Sequence, residues 1–438
     1  MEPERDASAV SVQRRSYDDR TALVIEWNFA VHGGSFGERE AQLFADACAE
    51  AAGSRTPLVT VLHSGGTRLQ EGMRALVGIP RAALALADVR AARLPHIAVA
   101  ASPTTGGVWV AIGSVADLRV GVRGATVGFS GPRVIEAMTG QAVAAGANTA
   151  ESALDAGLLD DVVEADRVDR WVARALRVLR DVDPQPTAEV PVAGAAPRLG
   201  WQQVEHSRRV TRPSGHDLAQ ALLDERTALR GADATVGAWV GLLRGRAVVM
   251  VALAGERAGR ATPAGYHLLR RAAGLAGHLD LPLVTLVDTA GADPLPASEQ
   301  GGVAAAIAAA LTDVLMCEAP TLAVVHGEGG SGGALAGAVC DLVAVTPDGW
   351  FAALSPEGAA AALRRDPAQA ADLMRVSPAE LVADGFADAV VPADPARLQV
   401  WVACALDRLR AEPAVVRRQR RDHRWRNPLR PADPDASP

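Results

Sequence analysis

Residues 321–342 read TLAVVHGEGGSGGALAGAVCDL, and this stretch decides the fold of the second half of the chain. A β-branched apolar run breaks into five glycines within seven residues and then resumes as an Ala-rich run, which predicts a strand, a tight loop and the start of a helix. A loop of this kind leaves backbone N–H groups without partners at the positive end of the helix dipole. The segment therefore predicts a site for an anion, or for an oxygen that becomes one during a reaction.

Two short motifs match this stretch literally. Residues 327–332 satisfy the dinucleotide-binding spacing G-x-G-x-x-G, but that motif expects an acidic residue about 20 positions further on, and Asp341 comes too early. Residues 329–333 satisfy G-x-S-x-G around Ser331, yet a serine nucleophile needs a downstream histidine, and the only one is His423 in a charged tail. We therefore favour the remaining interpretation, an oxyanion hole made of backbone amides.

The composition of the whole chain predicts a globular protein with more than one domain. Its 438 residues are 49% hydrophobic, enough for each domain to bury a core. A charged N-terminus and the lack of any run of 18 apolar residues favour a cytoplasmic protein that does not enter a membrane. The net charge of −7 argues against nucleic-acid binding, and the scattered cysteines argue against a disulfide framework or a zinc ribbon. All 44 basic residues are arginine, which excludes a mechanism in which a lysine forms a Schiff base or acts as the general base.

An internal repeat relates the two halves. Residues 57–62 read PLVTVL and residues 282–287 read PLVTLV, at an offset of 282 − 57 = 225. The pair Gly332-Gly333 falls where Gly106-Gly107 falls in the first half, at an offset of 332 − 106 = 226. Two unrelated α/β domains are the alternative, but they would not keep several such landmarks in register. Each half is therefore expected to contain two buried strands that end in glycine-rich loops.

The repeat and the composition together predict five segments. The C-terminal run RRQRRDHRWR at residues 417–426 is typical of a solvated, weakly ordered end. The Pro- and Ala-rich stretch between the halves is typical of an extended linker. The predicted segments are a mobile leader at 1–20, a first domain at 21–180, a linker at 181–200, a second domain at 201–411 and an Arg-rich tail at 412–438.

The motifs of both halves resemble the carboxyltransferase component of acetyl-CoA carboxylase and its relatives, which has a crotonase-like fold. Residues 64–72, 103–108 and 128–136 resemble the bacterial β subunit, whereas residues 288–291, 327–336 and 355–358 resemble the α subunit. The likeness runs from about residue 21 to 392, so the chain resembles a β–α fusion. This resemblance implies an α/β fold class with two tandem crotonase-like (ClpP/crotonase) domains built from repeated ββα units.

The resemblance also implies an activity. Such enzymes move a carboxyl group from carboxybiotin to an acyl-CoA, here acetyl-CoA or a related short acyl-CoA, to give a malonyl-CoA-type product. Negative charge develops on two carbonyl oxygens, one of the thioester and one of biotin, and each needs a set of donors. The implied donors to the thioester oxygen are Gly65, Gly66, Gly106 and Gly107, and those to the biotin oxygen are Gly291, Gly332 and Gly333.

Five further residues are candidates for substrate binding. Arg68, Gln70 and Glu71 follow the first glycine loop and are suited to shape the thioester pocket, although a salt-bridged loop explains them equally well. Thr105 and Ser331 adjoin the helix that follows each second loop. The three histidines near the loops, His63, His96 and His326, are interpreted as packing residues.

The implied cofactor is biotin, and no metal is expected. Because the chain has no lysine to carry biotin and no P-loop to bind ATP, a biotin carboxyl carrier protein and a biotin carboxylase are expected as separate chains. A homodimer or higher homo-oligomer is expected, with no nucleic-acid or membrane partner. Two alternatives stay open: a biotin-independent malonyl-thioester decarboxylase of the same fold, and a non-catalytic scaffold that binds acyl-CoA.

Overall fold

The chain divides between Leu179 and Arg180 into two α/β units. The structure, a computed structural model, describes residues 8–187, 190, 198, 200–254, 259–427 and 429. Both units follow one plan, in which an antiparallel pair or triplet of strands continues into parallel strands connected through helices. The plan agrees with the prediction of two tandem α/β domains.

The first unit is built on a seven-stranded sheet of order β1-β2-β3-β4-β5-β7, with β6 paired to β4. Strands β1 and β2 are antiparallel, and the other pairs are parallel. The strands are β1 (Val10–Tyr17), β2 (Arg20–Trp27), β3 (Leu58–Ser64), β4 (His96–Thr105), β5 (Leu118–Val122), β6 (Val127–Gly128) and β7 (Asp161–Val163).

Helices of the first unit cover this sheet and enclose its core. A tilted aromatic cluster of Trp27, Phe36 and Phe44 lies between the sheet and the first helix. The helices are α1 (Glu38–Ser54), α2 (Met73–Leu76), α3 (Gly78–Ala91), α4 (Gly106–Val108), α5 (Pro132–Thr139), α6 (Ala150–Asp155) and α7 (Val168–Val178), and a π-helical turn, Trp109–Gly113, follows α4 directly.

The second unit has a seven-stranded sheet of order β14-β13-β12-β11-β10-β9-β8. Strands β8, β9 and β10 are antiparallel, and β10 to β14 are parallel. Every residue of β10, β11 and β12 is buried, as expected where helices cover both faces of a parallel sheet. The strands are β8 (Glu225–Leu229), β9 (Gly237–Leu243), β10 (Arg246–Leu253), β11 (Leu283–Thr289), β12 (Thr321–Gly329), β13 (Leu342–Val345) and β14 (Ala389–Val390).

Eleven helices lie in the described part of the second unit. Several begin with a proline in the first turn after a serine or aspartate whose side chain accepts a backbone N–H, a strong start signal. The helices are α8 (Gly200–Ser207), α9 (Gly215–Leu222), α10 (Pro263–Leu279), α11 (Pro296–Gln300), α12 (Val303–Met316), α13 (Ser331–Leu335), α14 (Pro356–Leu363), α15 (Pro367–Leu373), α16 (Pro378–Ala383), α17 (Pro395–Ala411) and α18 (Ala414–Arg426).

The leader predicted at residues 1–20 is wrong where the structure describes it. Residues 1–7 lie outside the described residues, but β1 pairs with β2 along its whole length. The amide of Ala9 also donates to the buried Glu40 carboxylate at 3.1 Å. The charged side chains of this segment misled the prediction, because they belong to the solvent face of an edge strand, which is a common place for charge.

The segment predicted as an extended linker is held against the second unit wherever it is described. The amide of Val182 donates to Gly245 O at 2.7 Å, and the Thr187 hydroxyl donates to Asp407 at 3.0 Å. Residues 188, 189, 191–197 and 199 lie outside the described residues, so the linker prediction is not addressed there.

The prediction of a solvated, weakly ordered tail at 412–438 is wrong for residues 414–426. These residues form α18, and the side chains of Arg417 and Arg421 are buried. The Arg421 guanidinium contacts both oxygens of Asp341 at 2.9 Å. Charge density alone suggested solvent exposure, whereas each buried arginine has carbonyl or carboxylate partners supplied by distant segments.

Candidate active site

In the first unit, two glycine loops meet at the carboxyl ends of neighbouring parallel strands. Gly65 and Gly66 follow β3, whereas Gly106 and Gly107 follow β4. A Cβ on Gly106 would lie 2.9 Å from the Gly66 Cα atom, and both residues have positive φ angles of 65° and 112°. Only glycine permits this backbone contact, so the structure brings the predicted residues together as expected for one site.

The hydrogen bonds within these loops show which amides are occupied. The Gly65 amide donates to Gly33 O at 3.0 Å and the Gly66 amide to the Ser64 hydroxyl at 3.1 Å. The Gly106 amide likewise donates to Phe129 O at 3.0 Å. These bonds fix the loops.

Two loop amides are left as donors. Within residues 8–187, the amides of Thr67 and Gly107 have no hydrogen-bond acceptor. Thr67 was absent from the predicted set, because the sequence does not reveal that the Ser64 side chain occupies the Gly66 amide.

The second unit repeats this geometry after β11 and β12. The Gly291 amide donates to the Thr289 hydroxyl at 3.1 Å, and Gly291 has a φ angle of 127°. The Ser331 amide donates to Ala352 O at 2.9 Å. Within residues 259–427, the amides of Ala292, Gly332 and Gly333 have no hydrogen-bond acceptor.

The structure corrects the predicted offset of 226 between the second loops. Gly106 and Ser331 each begin the helix after the loop, and both have a φ angle of 65°. They are therefore equivalent, at an offset of 331 − 106 = 225, which is also the offset of Gly291 from Gly66, 291 − 66 = 225. The counterpart of Gly107 is consequently Gly332, not Gly333, because a serine at positive φ takes the place of the first glycine.

Ser331 is held in a backbone conformation that few residues other than glycine adopt. We predict that Ser331→Ala retains activity within about threefold, because backbone amides supply the chemistry. We predict that Ser331→Gly is as stable as the parent chain or more so, since glycine relieves the positive φ. Steady-state kinetics and thermal unfolding check both, and a loss of about 10⁴-fold in Ser331→Ala would instead indicate a nucleophile.

The predicted substrate-binding residues of the first loop fall into two groups. Arg68 donates to Ser35 O at 2.9 Å and to Glu71 at 3.0 Å, and it pairs with Glu40 at 2.8 Å. Arg68 and Glu71 thus form the salt-bridged loop that was the alternative interpretation. Gln70, in contrast, is exposed.

Thr105 has a structural contact in the first unit. Its hydroxyl donates to Ser64 O at 3.4 Å, and the residue is buried. This contact ties the end of β4 to the end of β3, so Thr105 helps to hold the two glycine loops together.

A buried charge network, which no sequence pattern indicated, lies beside the second site. Arg212 contacts both oxygens of Asp288, at 2.7 and 3.0 Å, and Asp288 accepts the Glu328 amide at 2.9 Å. Arg208 pairs with the buried Glu328 carboxylate at 2.9 Å. Because Asp288 and Glu328 are the penultimate residues of β11 and β12, the network fixes the strand ends that carry the two loops. No sequence pattern joins arginines and carboxylates this far apart in the chain.

The three histidines near the loops have the packing roles predicted for them. His96 Nε2 lies 3.0 Å from the Thr60 hydroxyl, and His63 stacks on Phe29 with ring centroids 4.8 Å apart. Burial lowers the pKa of His326 to about 4, so this imidazole is neutral at pH 7. Its Nδ1 lies 3.3 Å from the Arg212 guanidinium, whereas its buried Nε2 has no hydrogen-bond partner within the described residues.

Within the described residues, no group of three or more His, Cys, Asp or Glu side chains is arranged to hold a metal ion. None of the helices in the described ranges is long and apolar enough to cross a membrane.

Known proteins similar to this chain are carboxyltransferase components of acyl-CoA carboxylases. Residues 198–398 match the acetyl co-enzyme A carboxylase carboxyltransferase-like family. The chain is 36% identical over 450 residues to the probable biotin-dependent acyl-coenzyme A carboxylase beta3 subunit of Mycobacterium tuberculosis, covering 98% of this chain and 90% of that protein. It is 37% identical over 400 residues to the acetyl-coenzyme A carboxylase carboxyl transferase subunits beta/alpha of Salinispora tropica, covering 84% of this chain and 70% of that protein.

Solved structures show the same fold. Transcarboxylase 12S superposes with a TM-score of 0.77 at 23% identity, covering 98% of this chain and 84% of that chain. A single-chain, multi-domain long-chain acyl-CoA carboxylase superposes with a TM-score of 0.72 at 18% identity, covering 90% of this chain and 41% of that one. These likenesses confirm the predicted α/β fold class of two crotonase-like domains.

Proposed function

This chain belongs to the carboxyltransferase family of biotin-dependent acyl-CoA carboxylases, and we propose that it moves the carboxyl group from carboxybiotin, on a separate carrier protein, to acetyl-CoA or a related short acyl-CoA. The family resemblance drawn from the sequence motifs is thereby confirmed. One observation carries the proposal beyond family membership: each unit holds a pair of loops whose glycine contacts leave backbone amides without acceptors. Two such sites suit a reaction in which charge develops on two oxygens.

We assign the first-unit site to the thioester. The amides of Thr67 and Gly107 would donate to the thioester carbonyl oxygen as the acyl group loses its α-proton. The loops that carry them are pinned by the bonds of Gly65, Gly66 and Gly106, so the donors need no rearrangement when charge develops. Rigid donors of this kind stabilise an oxyanion far better than water does.

We assign the second-unit site to biotin. The residues present suit a polar ligand there, because the Ala292 amide and the Tyr266 hydroxyl border Gly333 on a side where any side chain would crowd them. Carboxybiotin, when bound, supplies both the carboxyl group and the base for the α-proton, so the chain itself needs no side-chain base. The amides of Ala292, Gly332 and Gly333 would hold the biotin carbonyl oxygen.

The proposed activity is tested through the reverse reaction. Purified chain, malonyl-CoA and free biotin are expected to yield acetyl-CoA and carboxybiotin, at a rate that depends on biotin concentration. Acetyl-CoA formation is followed by chromatography, with biotin omitted as the control. If malonyl-CoA gives acetyl-CoA and CO₂ at full rate without biotin, the protein is a decarboxylase, and if neither reaction occurs, it is a scaffold.

The names of this chain's relatives do not agree on the acyl group. The name of the Salinispora tropica protein specifies acetyl-CoA, whereas that of the mycobacterial protein specifies only an acyl-CoA. We propose a short acyl group because the chain shares the motifs that resemble the β and α subunits of acetyl-CoA carboxylase. Comparing kcat/KM for malonyl-CoA and methylmalonyl-CoA in the reverse assay identifies the preferred chain length.

We propose that the chain works as a homodimer or higher homo-oligomer together with separate carrier and biotin carboxylase chains. Transcarboxylase 12S, which shares the fold, is described as a hexameric assembly and as a multienzyme core. Light scattering on the purified chain measures the oligomer, and a monomeric mass in the active enzyme would contradict the proposal.

A further inference from the structure

The hydroxyl of Tyr266 is a buried polar group that the amide-based site does not use. Tyr266 lies in α10 and is 0% exposed, and its Oη atom has no hydrogen-bond partner in the part of the chain that the structure describes. Buried hydroxyls nearly always have a partner, because leaving one unpaired costs free energy. An unpaired hydroxyl of this kind suggests a ligand that the structure does not contain.

The unpaired hydroxyl borders the same glycine as an unpaired amide. A Cβ placed on Gly333 would lie 2.6 Å from Tyr266 Oη and 2.5 Å from the Ala292 nitrogen. Both groups therefore border the same side of Gly333, where any side chain would crowd them. A ligand oxygen bound beyond that side of Gly333 would be within reach of both donors.

The first unit shows that this arrangement is not a general feature of the fold. An offset of 225 relates α10 to α1, since 263 − 38 = 225, and β11 to β3, since 283 − 58 = 225. The counterpart of Tyr266 is then Ala41, since 266 − 41 = 225, and that of Gly333 is Val108, since 333 − 108 = 225. Ala41 and Val108 are both 0% exposed.

In the first unit, two apolar side chains therefore stand where the second unit has a hydroxyl and a glycine. If Tyr266 served only to fill the core, an apolar pair such as Ala41 and Val108 would serve equally well. A buried hydroxyl without a partner is worse than an apolar group of similar size, so its presence in one unit alone indicates a function there.

We propose that Tyr266 is a catalytic residue whose hydroxyl donates a hydrogen bond to the biotin carbonyl oxygen, beside the amide of Ala292. This inference rests on the proposed function. Burial raises the pKa of the Tyr266 hydroxyl above its ordinary value, so the group stays protonated and acts as a donor. The two carbonyl oxygens of the reaction would then be held differently, by amides alone in the first unit and by amides and a phenol in the second.

Tyr266→Phe is expected to lower kcat for malonyl-CoA-dependent carboxylation of free biotin by about 10²-fold, with little change in KM for malonyl-CoA. The physical reason is that a donor to a developing oxyanion stabilises the transition state more than the bound substrate. Tyr17→Phe is the matched control, because Tyr17 is the other tyrosine of the chain, is also buried, and lies in the first unit. It should leave kcat within about twofold of the parent.

A second measurement does not depend on turnover. Because the chain has two tyrosines, Tyr17→Phe protein labelled with fluorotyrosine gives one ¹⁹F signal, that of Tyr266. Free biotin is expected to shift this signal, since a new hydrogen bond changes the electron density of the ring, whereas acetyl-CoA alone should not.

The outcomes separate the inference from the proposed function. If the parent enzyme does not carboxylate biotin, the proposed function fails and the inference fails with it. If the parent enzyme carboxylates biotin but Tyr266→Phe keeps kcat within about threefold, or saturating biotin leaves the ¹⁹F signal unmoved, the role of Tyr266 is refuted and the proposed function stands.

Discussion

Gly333→Ala is expected to lower kcat for biotin carboxylation by about 10³-fold. The added methyl would lie 2.5 Å from the Ala292 nitrogen and 2.6 Å from Tyr266 Oη, closer than real Cβ contacts. It therefore crowds both donors and forces the loop of Ala292 away from α13. Loss of several donors at once explains why the effect exceeds that of Tyr266→Phe.

The backbone angles of Gly333 suit alanine, so the strain of the substitution is confined to the contact with the Ala292 loop. Residue 333 lies in α13 without a positive φ, and alanine favours a helix over glycine by about 1 kcal/mol. Gly53→Ala is the matched control, because Gly53 is also helical and its added methyl meets no atom within 4 Å. The control should keep full kcat.

A double variant separates crowding from lost donors. Gly333→Val with Tyr266→Ala reproduces the apolar pair, Val108 and Ala41, that the first unit packs at the equivalent positions. It is expected to unfold at a temperature near that of the parent and yet to stay inactive. Steady-state kinetics and thermal unfolding measure all three proteins, and activity of Gly333→Ala within about tenfold of the parent would contradict the assignment of this site.

The sequence was sufficient to predict the strands and loops of both sites. A buried apolar run followed by paired glycines is typical of a parallel strand whose end lies close to another part of the backbone. The contact between Gly66 and Gly106 is of that kind. The sequence could not predict which loop amides stay available to a ligand. That depends on side chains such as Ser64 and Thr289, whose hydroxyls accept the amides of Gly66 and Gly291.

The sequence also could not predict which residues outside the loops, on other helices, lie next to a site. Tyr266 belongs to a helix whose apolar pattern is explained by core packing alone, and nothing in that pattern distinguishes an unpaired hydroxyl. The register of the repeat was one residue in error, since Ser331 at positive φ occupies the place where a glycine was expected. Such features are set by tertiary contacts, which single-sequence patterns do not contain.

The C-terminal helix leads to the second large prediction, which concerns stability. The side chain of Arg421 is 1% exposed and that of Asp341 is 0% exposed. The guanidinium also donates to the carbonyl oxygens of Val314, Leu315 and Cys317. Asp341 additionally accepts the Thr321 amide at 2.9 Å. The pair thus joins α18 to the end of α12 and to the start of β12, the strand that carries the second site.

Arg421→Ala is expected to lower the free energy of unfolding by about 3–5 kcal/mol, because it leaves the Asp341 carboxylate buried without its cation. Arg420→Ala is the matched control on the same helix: Arg420 is 44% exposed and pairs with Glu412 at 2.8 Å in solvent. An exposed pair of this kind contributes about 0–1 kcal/mol, so the control should unfold almost as the parent does. Urea titration followed by circular dichroism measures both variants. An equally small loss in the two variants would contradict the stabilising role of the pair between Arg421 and Asp341.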